Sequence, residues 1–175
     1  MNMPSNDNMF SPDRIYQKKK EKAVASSEIV QIIVFSVGNE DYGLEIEKVQ
    51  EIIRMRTIKH LPHTPDFILG VMNLRGNIIP VVGLREKFGM EKIEYTEFTR
   101  LIVVNHKNKL VAMVVDEVNK VVNVPIGNIE GNPDMVSDST RALVRGVANL
   151  DDLVIILVEL DYLLYSIDEL AAGIE

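Results

Sequence analysis

Cysteine is absent from the 175 residues. That excludes a disulfide framework and all thiolate chemistry, catalytic or metal-binding, and it fits a reducing cytoplasm. Long apolar runs are absent too: none approaches the ~18 residues of a membrane span. Residues 1–27 are polar and lack an apolar h-region, which argues against a secretory signal. Positive charge is in short supply, with 19 Lys and Arg against 26 Asp and Glu and a formal net charge of -7. Nucleic-acid binders gain affinity by neutralising phosphates, so this balance disfavours that class. Aromatic residues make up 6%, too few for the stacking platforms of an oligonucleotide-binding barrel. The basic run Lys18 to Lys20 reads as part of a disordered, solvated tail.

Catalytic signatures are equally scarce. G-x-S-x-G, G-x-G-x-x-G and the P-loop pattern do not occur, and no serine has a triad layout. His60 and His63 lie three apart with Pro62 between them, and Asp66 follows. These three residues are the basis of an alternative reading, a metal- or ligand-binding β-barrel enzyme. A catalytic zinc needs three rigidly held ligands, and no regular helix presents both histidines across a proline. His106 reads as a solvated turn residue. Asp116-Glu117 and Asp151-Asp152 are adjacent pairs. Neighbours on a strand point to opposite faces, so they read as solvated turn carboxylates. The chain is therefore expected to work by binding, without cofactor or metal.

What is present is β-structure. From Glu28 onward, β-branched runs of about five to eight residues alternate with turn formers every ~8–12 residues, which predicts an all-β fold with short helices. The length suits one domain or two small lobes, able to bury roughly 70% of the unfolded surface. The chain also repeats itself. A shift of 69 aligns the stretch from Gln31 with that from Arg100 without a gap, bringing Val34 to Val103, Asn39 to Asn108 and Val49 to Val118. A shift of 76 aligns "GVMNLRGNIIPVVGL", from Gly70, with "GVANLDDLVIILVEL", from Gly146. The extra residues fall in the polar segment "PIGNIEGNPDMVSDST", read as a longer loop. The expected architecture is two five-stranded barrels related by duplication. The first spans about 28–98 and the second about 99–160, and exchange of strands between lobes is left open.

Smaller features follow from local chemistry. "GLREKFG" predicts a short helical turn ending at Gly89. Leu163, Leu164, Ile167 and Leu170 form an apolar stripe at helical spacing, so residues 161–173 read as a C-terminal helix stopping at Gly173. "HLPHTPDFILG" predicts a single helical turn before the next strand. Pro80 cannot donate to a ladder, which predicts an edge position or a bulge. One residue breaks the duplication: Arg75 stands mid-run where the second copy has Asp151. The barrel itself therefore does not demand a cation there.

"NEDYGLEIEKVQEI", "PDFILGVMNLRGNIIPVVGLREKFG", "LVAMVVDEVNKVV" and "VRGVANLDDLVIILVELDYLL" resemble, in this order and spacing, the CheW-like family of bacterial chemotaxis coupling proteins. The resemblance runs from about Glu28 to Leu170. It implies two SH3-like five-stranded β-barrel subdomains and a non-enzymatic adaptor. The adaptor would join the cytoplasmic tip of chemoreceptors (methyl-accepting chemotaxis proteins) to the regulatory domain of the chemotaxis histidine kinase. The same domain also occurs within that kinase and fused to a response-regulator receiver; this length implies the stand-alone form. The resemblance further implies a cytoplasmic monomer recruited to receptor arrays, without direct membrane contact. Receptor contact is implied at Val49, Glu51, Asn73, Arg75 and Gly76. Kinase contact is implied chiefly in the second barrel, from about Arg100 to Val124.

A planar guanidinium with five donors suits a half-buried turn where backbone carbonyls and a carboxylate converge. Glu51 is the expected carboxylate, and the pair would fix the receptor-facing surface. The competing reading is that Arg75 only satisfies turn carbonyls and holds the lobes together. Val49 lies two residues from Glu51, so the two are expected to share one partly exposed face. A strand valine is as readily core, and a cleft lined by Val49 would accept apolar receptor side chains.

Overall fold

The structure, a computed structural model, describes residues 28–131, 142–165 and 167. The tail reading of residues 1–27, most of the longer loop, and Leu170 and Gly173 lie outside those residues. Strands β1 (Ile29–Val37) and β2 (Glu40–Glu45) form a hairpin, and a 3-10 turn (Ile46–Lys48) leads directly into β3 (Val49–Arg54). Strands β4 (Ile68–Leu74) and β5 (Asn77–Gly83) form the next hairpin, closed by helix α1 (Leu84–Lys87). The pattern then recurs. Hairpin β6 (Arg100–His106) and β7 (Lys109–Val115) precedes β8 (Glu117–Pro125), a 3-10 turn (Ile126–Asn128) and the short β9 (Ile129–Glu130). Hairpin β10 (Val144–Leu150) and β11 (Leu153–Val158) runs into helix α2 (Leu160–Leu163). The offsets of 69 and 76 thus carry each strand of the first half onto one of the second. No helix among the described residues is long and apolar enough to cross a membrane.

The sheets do not follow a division of the chain near residue 98. One sheet runs β8-β1-β2-β11-β10-β9 and the other β3-β6-β7-β5-β4. Each half lends its first hairpin to the other half's sheet. Parallel ladders make the joins: Val81–Gly83 of β5 meet Ala112–Val114 of β7, and Tyr42–Gly43 of β2 meet Ile156–Leu157 of β11. The two sheets are therefore related by the duplication, and the two halves of the chain cannot separate without breaking ladders in both sheets.

Alternation along the strands explains the long apolar runs. In β6, Leu101 and Val103 enter one sheet's own core with Met72, Ile79, Val81 and Ala112. Ile102 and Val104 point the other way, into a cluster between the sheets with Phe35, Leu44, Val82 and Met113. A strand buried on both faces reads as a continuous apolar run. The second sheet has its own core of Ile32, Val34, Val124, Ala148, Ile155 and Leu157. The described part of the C-terminal segment seals the central cluster with Leu160, Leu163, Leu164 and Ile167.

The repeated glycines mark a close approach. Lys59 and Val71 exchange backbone hydrogen bonds at 2.8 and 2.9 Å. A Cβ on Gly70 (φ 143°) would lie 2.1 Å from the Lys59 carbonyl oxygen, and one on Gly146 would lie 2.5 Å from that of Glu130. Both copies bring a neighbouring strand over this position, so both require glycine.

Three local expectations change. Pro80 lies in β5, between β4 and β7, not on an edge. A two-residue hairpin makes Val71–Pro80 a non-hydrogen-bonded pair. The missing donor then faces the β7 side, where the ladder begins only at Val81. Residues 61–67 form turns without a helical turn, with His63 at φ 59°. His106 is buried, because α2 packs against the end of β6 and places Asp161 Oδ1 3.5 Å from its Nδ1.

Candidate functional site

The β4–β5 hairpin turns in two residues, with Leu74 and Asn77 as the closing pair. Arg75 has φ 51° and Gly76 φ 88°. Positive φ at both central positions is the turn whose twist matches the flanking strands. Glycine enters that region freely and Asp tolerates it, whereas arginine occupies it at a cost. The equivalent turn of the second copy uses Asp151, at φ 45°. Asn73 stabilises the first turn by accepting a hydrogen bond from the Gly76 N–H through Oδ1, at 2.8 Å.

The Arg75 side chain reaches Glu51 of β3. Nη1 donates to Oε1 at 2.9 Å and Nη2 to Oε2 at 2.8 Å. The half-buried setting expected for the guanidinium is not found. Its side chain is 70% exposed, against 19% for Glu51, and its hydrogen bonds go to the carboxylate, not to turn carbonyls. The protruding hairpin tip carries the guanidinium into solvent while β3 shelters the carboxylate. A pair of this exposure contributes about 0.2–1 kcal/mol to stability. Glu51, Asn73, Arg75 and Gly76 are thus gathered at one hairpin tip.

Val49 is not part of that group. The β3–β6 register pairs Val49 with Val104 and Glu51 with Val103, so a bulge falls at Gln50. A bulge resets the alternation of faces. Val49 packs against the cluster between the sheets, while Ile53 packs into the core of its own sheet. The shared face expected of Val49 and Glu51 is therefore broken by one inserted residue. An apolar hollow of ≈ 230 Å³ lies elsewhere, lined by Tyr42, Phe88, Met90, Leu143, Ile156 and Val158 among others.

The segment from Arg100 to Val124 is divided. Strands β6 and β7 lie inside one sheet and are almost wholly buried, whereas β8 is the edge of the other. Glu117, Asn119, Lys120, Val121 and Asn123 of β8 are exposed, Val121 by 50%. His60, His63 and Asp66 are all exposed. Among the described residues, no group of three or more His, Cys, Asp or Glu could hold a metal ion. The structure thus gives the alternative reading built on them no three-ligand cluster among the described residues.

One cluster escaped the sequence reading. Asp116, expected from the sequence to be a solvated turn carboxylate, is half-buried where the chain crosses between the sheets. It accepts hydrogen bonds from Arg85 Nε at 2.8 Å and Nη2 at 2.8 Å, and from the Gly38 N–H at 2.8 Å. Its own N–H donates to the Ser36 carbonyl at 3.0 Å. Hydrogen bonding to Asp116 raises the Arg85 pKa further above its ordinary value. No local spacing announces a contact made 31 residues along the chain.

A family model for the CheW-like domain matches residues 31–168. The chain belongs to the CheW-like family. It is 38% identical over 136 residues to the Chemotaxis protein CheW of Klebsiella aerogenes, covering 78% of this chain and 82% of that one. It is 35% identical over 142 residues to that of Rhizobium meliloti, covering 81% and 92%. Among solved structures it is similar to the scaffolding protein TtCheW from Thermoanaerobacter tengcongensis. The TM-score is 0.73 at 38% identity, over 78% of this chain and 92% of that one. Against this CheW-like frame, the exposed Glu51–Arg75 pair belongs to the hairpin that carries the Asn-Leu-Arg-Gly box, on one copy of the duplication only.

Proposed function

We propose that this CheW-like chain is a chemotaxis adaptor without chemistry of its own. It couples chemoreceptor cytoplasmic tips to the regulatory domain of the histidine kinase, at the membrane receptor arrays. Family membership supports the class. The residue-level observation that carries the reading is the unequal pair of turns. The duplication makes the same turn twice, and only one copy places an arginine in left-handed backbone and holds it by a carboxylate. A residue that costs the turn something and contributes little stability has its reason outside the fold. Glu51, Asn73, Arg75 and Gly76 form the receptor-facing tip, with Asn73 and Gly76 shaping the turn. Val49, packed against the central cluster just before the bulge, supports Glu51 from beneath.

Kinase contact falls on the second half. The exposed edge β8 supports this, because an unpaired edge with Val121 outward offers both backbone groups and an apolar side chain. Signal passes through changed packing at two interfaces, each modest alone and strengthened by repetition in an array. The test is a binding assay of purified protein against a receptor-tip fragment and the kinase regulatory domain separately. Arg75→Glu is expected to lose receptor binding and keep kinase binding. Loss of both, or of neither, overturns the assignment.

A further inference from the structure

Arg54 ends β3 and Arg100 opens β6, and the ladder places them directly opposite each other. Like charges facing across a ladder destabilise it. The duplication supplies an internal control: the equivalent cross-strand pair is Gln31 and Asn123, both neutral. The fold therefore makes this pairing without charge in one copy and accepts two cations in the other. Neither arginine has a carboxylate partner among the described residues.

The surroundings form an open cleft of ≈ 480 Å³, lined by Arg54, Met55 and Thr96 to Arg100. Arg100 is oriented by donating from Nη1 to the carbonyls of Glu97 at 2.7 Å and Thr99 at 2.9 Å. Its remaining N–H groups are left for another acceptor. Phe98 is 53% exposed on the same wall, and Met55 is half-buried there. The Glu97 carboxylate also lines the cleft but pairs with neither cation. Arg56, exposed two residues beyond the end of β3, adds a third positive charge nearby. On a chain of net charge -7, this is a local excess of cations beside exposed apolar surface.

We propose that this cleft is a docking site for an acidic segment of a partner protein, in which a Glu or Asp adjoins an aromatic or aliphatic residue. The carboxylate would bridge the Arg54 and Arg100 guanidinium groups, which bind carboxylates in a bidentate manner. The neighbouring apolar side chain would cover Phe98. The occupied site also removes the repulsion between the two arginines, so binding and local stability are coupled. The proposal stands apart from the Glu51–Arg75 reading, since neither residue of that pair lines the cleft.

The test uses the full chain, isotope-labelled, titrated with acetyl-Glu-Phe-Glu-amide to about 5 mM, where even a weak millimolar contact registers. The expected result is shifted amide signals at residues 54–56 and 96–100. Arg54→Gln is expected to weaken binding by at least ~10-fold, the loss of one charge-assisted contact. Its melting temperature is expected to hold or rise, which shows that the variant folds. No shifts overturn the proposal. So do equal shifts with acetyl-Gln-Phe-Gln-amide, undiminished binding by Arg54→Gln, or inorganic phosphate binding as tightly as the peptide, which would mark a general anion hole.

Discussion

Both guanidinium Nη atoms of Arg75 meet both carboxylate oxygens of Glu51, at 2.9 and 2.8 Å, across 24 residues of chain. The fork-to-fork geometry fixes direction as well as distance. With the arginine 70% exposed, water and salt screen most of the attraction. The contact is thus better suited to presenting a defined surface than to holding the fold.

That distinction is measurable through the turn. Arg75→Asn places a residue tolerant of left-handed backbone at φ 51°. Relief of backbone cost offsets the lost ion pair, so the unfolding free energy is expected to change by less than about 1 kcal/mol. Binding to a receptor-tip fragment is expected to fall in the same protein. A drop of several kcal/mol in denaturant unfolding would return Arg75 to a purely structural role.

Gly70→Ala is expected to behave in the opposite way. The added Cβ would meet the Lys59 carbonyl oxygen at 2.1 Å, in backbone at φ 143°. Neither the carbonyl nor the ladder can give without losing the Lys59–Val71 hydrogen bonds. The expected loss is about 3 kcal/mol or more, in the upper range for point changes. Gly146→Ala meets the Glu130 carbonyl oxygen at 2.5 Å without the positive φ, so it should cost less. Paired denaturant melts of the two variants check the order.

These contrasts separate what local sequence encodes from what only the folded chain brings together. Strand positions and the duplication could be read because hairpins are local and each copy restates the other's pattern. The Glu51–Arg75 pair could be named because a lone cation at a turn needs an acceptor. The exchange of hairpins could not be read, since β1 and β6 are alike and apolar on both faces, and either would fit either sheet. The bulge at Gln50 has no glycine to announce it, so Val49 and Glu51 looked like neighbours on one face. His106 precedes a polar turn at Lys107-Asn108 but is covered by α2 from the far end of the chain, which no local pattern reveals.

Alkaline unfolding should involve Tyr42. Its ring stacks between Phe35, at 6.1 Å, and Phe88, at 5.0 Å. Burial, aided by the charge of Glu40, raises its hydroxyl pKa above the ordinary 10.0. Between that value and the raised folded one, the unfolded chain has already released the proton that the folded chain retains. Stability therefore falls as pH rises through this window, and the contribution is fully present below pH 10. Tyr42→Phe is expected to flatten the decline. An unchanged slope of unfolding free energy against pH would refute the assignment.

Asp116 should matter more than any exposed charge. It ties the β1–β2 turn, the crossing from β7 to β8, and α1 through Gly38, Ser36 and Arg85. The two halves of the chain exchange hairpins, so this crossing is a point where both sheets must stay in register. Asp116→Asn keeps the volume but removes the charge that holds the guanidinium, and one amide nitrogen would face the Arg85 donors. With both side chains about one-fifth exposed, water compensates in part. The expected cost is about 2 kcal/mol, in the range for hydrogen bonds to charged groups. Arg85→Met in the Asn background tests the coupling. If the network acts as a unit, the second change should cost much less than it does in the parent protein. Full additivity in that double-mutant cycle would show that the two side chains stabilise the fold independently.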